Sequence, residues 1–97
     1  MIIRSQDKTG IVIYENVSAI YVIDVFEDGC KKMFEIRHSG NNVSGTLGTY
    51  STEEKAIKVL DMIQNKYFEH MTVENNGAIV NVLERPKVFQ MPQDCEV

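Results

Sequence analysis

The run from Leu47 to Ile63 constrains the fold more than any other stretch of this chain. It reads as the end of a strand, a helix cap and an amphipathic helix in direct succession. Ser51 followed three residues later by Glu54 fits a capping box, in which hydroxyl and carboxylate each satisfy a backbone N–H at the helix start. Glu53 and Glu54 lie where the positive end of the helix dipole favours anions. Glu54 and Lys58 are spaced for an i,i+4 ion pair worth about 0.2–0.5 kcal/mol. Ala56, Val59, Leu60, Ile63 and Tyr67 recur at three- and four-residue steps, and Ile57 widens that stripe. The spacing predicts a helix over residues 52–68 with one face committed to packing.

The segments before the helix predict the surface it packs on. Ile2–Ser5 and Ile11–Tyr14 read as short strands around an Asp7–Gly10 turn. Val17–Phe26 is the strongest strand signal, rich in β-branched and aromatic residues. Its two faces, Ala19/Tyr21/Ile23/Val25 and Ile20/Val22/Asp24/Phe26, are both largely apolar, which predicts a central strand. Asp28-Gly29 signals a hairpin into Lys31–His38, and Ser39–Asn42 a second turn into Val43–Tyr50. Gly45 and Gly48 mark a bulge or a close approach in that last strand. Ala78–Leu83 and Lys87–Met91 read as further strands, the latter a short edge before Pro92, and residues 93–97 as a loose tail. The expected fold is therefore α+β: an antiparallel β-meander of about five strands with one main amphipathic helix packed on one face. At 97 residues it forms a single domain over 1–97.

Charge and composition narrow the function. The net charge of −4 argues against direct nucleic-acid binding, which draws its affinity from Lys and Arg contacts to phosphate. The one basic cluster, Lys31, Lys32, Arg37 and His38, reads as a solvated strand face. No run approaches a membrane span, and the N-terminus lacks a signal-peptide pattern, so a cytoplasmic protein is expected. Cys30 and Cys95 read as free thiols, and His38 and His70 have no metal-ligand spacing around them. No nucleophile–base pair, phosphate loop or dinucleotide fingerprint is legible, so neither catalytic residues nor a cofactor are expected.

What remains is a question of cover. One helix can cover one face of the long strand. The other, either Tyr21/Ile23/Val25 or Ile20/Val22/Phe26, is left as an exposed apolar patch unless the C-terminal segment lies over it. Tyr21, Asp24, Phe26 and Asp28 are therefore the expected partner-binding residues: aromatics to anchor and carboxylates to steer. Such a patch also suits a homodimer.

Arg4–Lys8, the run Leu47–Ala56 with Val59–Ile63, and Val88–Pro92 resemble small accessory proteins encoded by prophages and mobile elements of Gram-positive bacteria. The resemblance spans most of the chain and involves structural motifs. It implies a non-catalytic protein-binding module that inhibits a bacterial defence nuclease such as a CRISPR effector, as anti-CRISPR proteins do. The alternative is a small-molecule or nucleotide binder, for instance a sponge for a defence signal. A deep pocket with convergent polar groups would mark the second, a flat patch the first.

Overall fold

The computed structural model describes residues 1–27, 31–70 and 87–97. The protein is α+β, with six strands among the described residues in two three-stranded sheets and one long helix. The strands are β1 (Ile2–Arg4), β2 (Ile11–Ile13), β3 (Ala19–Glu27), β4 (Lys31–Gly40), β5 (Val43–Tyr50) and β6 (Val88–Gln90), and the helix α1 is Glu53–His70. The meander β3-β4-β5 is antiparallel throughout. The first two strands do not extend it. They form a separate sheet of order β2-β1-β6, in which β6 runs parallel to β1 at an edge.

Local chemistry explains the turns. Between β1 and β2, Asp7 Oδ1 accepts hydrogen bonds from the Ser5 hydroxyl at 2.7 Å and from the Thr9 amide and hydroxyl at 3.0 and 2.7 Å. The Thr9 amide, the Ser5 hydroxyl and the Thr9 hydroxyl hold the Asp7 carboxyl at about 2, well below its ordinary value. Between β4 and β5, Asn41 and Asn42 both take left-handed backbone, φ 49° and 63°. That is the two-residue hairpin geometry whose twist matches the flanking strands. Asp28, Gly29 and Cys30 lie outside the described residues, as does the strand expected over Ala78–Leu83.

The helix begins one residue later than a Ser51 cap would place it. The Thr52 hydroxyl accepts from the Lys55 amide at 3.1 Å. Ser51 is occupied elsewhere: its amide and hydroxyl both donate to the Asp94 carboxylate at 2.8 and 3.0 Å. The segment expected as a loose tail is thus tied down. Asp94–Glu96 forms a 3₁₀ turn, Lys55 Nζ donates to the Asp94 carbonyl at 3.0 Å, and Gln93 Nε2 donates to the Gln6 carbonyl at 2.7 Å.

The core lies between the helix and both sheets. Ala56, Val59 and Ile63 of the predicted stripe are buried, with Leu60 and Tyr67 partly so. Ile57 is 47% exposed and lies outside the stripe. Ile36, Leu47 and Tyr50 come from the meander, and Ile3, Phe89 and Met91 from the other sheet and the residue after it. Gln6 joins the two sheets. Its amide donates to the Leu47 carbonyl, and its side chain both accepts from the Thr49 amide and donates to the Thr49 carbonyl.

The glycines of β5 have two separate reasons. A register shift places Leu47 as the extra residue opposite Ile36/Arg37, which turns it into the core. Gly48 gives room to Tyr50, whose hydroxyl would lie 3.0 Å from a Cβ there. Gly45 likewise faces His38, whose Nε2 would lie 3.0 Å from a Cβ.

Candidate protein-binding surface

In β3 and β4 the strand period sends alternate residues to opposite faces. Ile20 and Val22 of β3, with Phe34 and Ile36 of β4, pack toward the helix. Tyr21, Ile23 and Val25 point the other way. They stand opposite Arg37, Glu35 and Met33 of β4, and Thr46 and Thr49 of β5 continue the same rows. Among the described residues no element lies over this face.

Among the described strands, the long strand β3 lies at an edge of its sheet, not at the centre expected from its two apolar faces. β4 fills the middle of the sheet, and no described strand pairs with the outer side of β3. Apolarity on both faces does not require a middle position, and the second face meets no element among the described residues.

The open face has two cations among the described residues, Lys31 at the distal end of the hairpin and Arg37 further along β4. Arg37 is directly opposite Tyr21, and its Nε is shut off from solvent with no hydrogen-bond partner. Neighbouring Glu35 is engaged instead by Thr46, whose hydroxyl donates to it at 3.2 Å. A shielded guanidinium N–H without an acceptor is costly, and an incoming carboxylate or carbonyl would relieve it. This is the feature that sequence reasoning missed: the Lys31–His38 strand reads as solvated, whereas Arg37 is only partly exposed.

The four residues singled out from the sequence do not share one surface. Tyr21, 38% exposed, lies on the open face. Asp24 and Phe26 are on the helix-facing side, near the distal end of the hairpin, and Asp28 is outside the described residues. Asp24 is already paired with Lys32 at 3.2 Å, and the Lys32 ammonium holds its carboxyl below the ordinary range. Phe26 is 68% exposed beside that pair.

A second apolar patch lies on the other sheet. Ile2 pairs with both Ile13 and Val88, and Arg4 with both Ile11 and Gln90. Ile11, Ile13 and Val88 are more than half exposed. The signal was in the sequence: Ile2-Ile3 and Ile11-Val12-Ile13 are unbroken apolar runs, so each puts apolar residues on the outer face as well as the inner one.

A concavity of about 460 Å³ opens between the start of β3 and the last turns of the helix. Tyr14 and Tyr67 stack at its wall with centroids 4.4 Å apart, and Ile20, Leu60, Ile63 and Phe68 line it. Gln64 and Ser18 are its polar members, and its described lining has neither Lys nor Arg. No group of three or more metal-ligating side chains occurs among the described residues, and no described helix is long and apolar enough to cross a membrane. Cys95 is exposed and free.

No protein-family model matches the chain, and neither the curated proteins nor the solved structures yield a match.

Proposed function

We propose that this chain is a non-catalytic protein-binding module that seats its partner on the open face of the β3-β4-β5 sheet. The observation that carries this reading is the Arg37 Nε, shut off from solvent without a hydrogen-bond partner, opposite Tyr21 on a face that Ile23, Val25 and Met33 continue. An aromatic beside an Arg pairs two residue types enriched at the centres of protein interfaces. The partner this chemistry fits presents apolar side chains and one carboxylate aimed at Arg37. The resemblance to mobile-element proteins makes a bacterial defence nuclease, such as a CRISPR effector, the first partner to try, in the cytoplasm.

A second reading rests on the concavity beside Tyr14 and Tyr67. Its volume suits a small ligand, but its described lining favours an apolar molecule over a nucleotide, whose phosphates would need cations.

The test uses the whole chain as bait in a bacterial lysate, then titrates the captured protein against variants. Arg37→Glu, checked by thermal melt, is expected to weaken binding at least tenfold, while Lys58→Glu on the exposed helix surface leaves it unchanged. The reverse pattern overturns the choice of face. Lys55 is unsuitable as the control, because it holds Asp94.

A further inference from the structure

Glu35 and Arg37 lie two residues apart on β4, so they share the open face. Their Cα atoms are about 6.6–6.8 Å apart at the rise of a strand, and two long side chains of opposite charge can meet across that distance. They do not meet. The ion pairs among the described residues involve neither of them, and Arg37 Nε has no hydrogen-bond partner. The Glu35 carboxylate instead accepts from the Thr46 hydroxyl at 3.2 Å.

Thr46 owes its place to the bulge in β5. Ile36 pairs with Gly48 and Arg37 with Thr46, so Leu47 is the extra residue between them. In an unbroken ladder Leu47 would stand opposite Arg37, with its side chain on the open face. The bulge sends Leu47 into the core and sets a hydroxyl opposite Arg37, one row from Glu35.

We propose that Thr46 is a positioning residue: its hydroxyl holds Glu35 off Arg37 and so keeps the guanidinium open to a partner's carboxylate. This rests on the reading of Arg37 as the partner's seat, and adds a competitor built into the same face. A hydroxyl–carboxylate hydrogen bond and a half-exposed ion pair are of similar strength, so one hydroxyl is enough to tip Glu35 between them. Without it, Glu35 pairs with Arg37, and the partner's carboxylate must displace it.

Two measurements test this. The first uses the chain alone and reads the Arg37 Nε–Hε signal by ¹H–¹⁵N NMR. Thr46→Val keeps the β-branched shape that suits a strand, and a thermal melt checks that it folds. It should shift the Arg37 signal, and adding Glu35→Gln should return the signal to its wild-type position. Thr46→Ser, which retains the hydroxyl, should leave the signal in place. An unmoved signal in Thr46→Val, or a shift that persists when Glu35→Gln is added, overturns the proposal. The second titrates the captured partner. Thr46→Val should weaken binding about two- to fivefold, the worth of one half-exposed ion pair, and the double variant with Glu35→Gln should recover it. Equal weakening in the single and double variants overturns the role of Thr46. Unchanged binding in Arg37→Glu overturns the partner seat instead, and the NMR result on the chain alone keeps the two failures apart.

Discussion

Replacing Asp94 with Asn tests how the C-terminal turn is held. The carboxylate accepts from the Ser51 amide and hydroxyl at 2.8 and 3.0 Å and lies 3.5 Å from Lys55 Nζ. Hydrogen bonds to a charged group are worth about 1.5–3 kcal/mol each in protected settings. The Asp94 side chain is 40% exposed, so water competes for both and the Lys55 contact is screened. The expected loss for Asp94→Asn is about 1–2 kcal/mol at pH 7. For a domain this size that lowers Tm by roughly 5–15 °C. The pH dependence follows from the direction of the shift. The Ser51 amide first, then its hydroxyl and Lys55, hold the Asp94 carboxyl below its ordinary 3.8. A carboxyl depressed in the folded state contributes stability that is full above its unfolded value and fades as pH falls through the folded one. The Tm gap between wild type and Asp94→Asn should therefore be widest at pH 6–7 and close below pH 4. Calorimetric melts across that range decide it. Equal melting at pH 7, or a gap that widens in acid, would refute the reasoning.

Four further outcomes are expected. Tyr50 is fully buried and donates to the Pro92 carbonyl at 2.8 Å, but that carbonyl also accepts from Gln6, so Tyr50→Phe should cost only about 0.5–1.5 kcal/mol in urea unfolding. Burial, with the Asp94 and Glu96 carboxylates nearby, pushes the Tyr50 phenol well above its ordinary range, so ultraviolet titration should show one tyrosine ionising only as the protein unfolds in alkali. Gly48→Ala puts a methyl 3.0 Å from the Tyr50 hydroxyl and 3.3 Å from Gln6 Cβ, an overpacking expected to cost about 1–3 kcal/mol. Asp7 should titrate near pH 2 by carbon-detected NMR, and Thr9→Ala, which removes one of its donors, should raise that midpoint.

Periodicity and turn residues made the helix, the Asn41-Asn42 hairpin turn and the buried stripe legible, because each depends on residues close in sequence. What was not legible depends on distant partners. Ser51 has the local pattern of a cap, but Asp94 takes its hydroxyl and Thr52 caps instead. The tail looks polar and loose until Ser51, Lys55 and Gln6 supply its contacts. β1 pairs with β6 across nearly the whole chain, a parallel contact that no local signal announces. At the candidate surface, Tyr21 was found from apolar alternation, whereas Arg37 emerged only once its register opposite Tyr21 was known. Grouping Tyr21 with Asp24 and Phe26 ignored strand parity, which places them on opposite faces.

Backbone hydrogen exchange, read by mass spectrometry on the chain alone and with its captured partner, tests the central claim most directly. Amides of residues 21–25 and 33–37 should become at least tenfold slower to exchange on binding, while those of residues 57–62 on the helix keep their rates. Protection confined to the helix, or to Ile11–Ile13 and Val88–Gln90 on the other sheet, with no change over 21–25 and 33–37, would contradict the account.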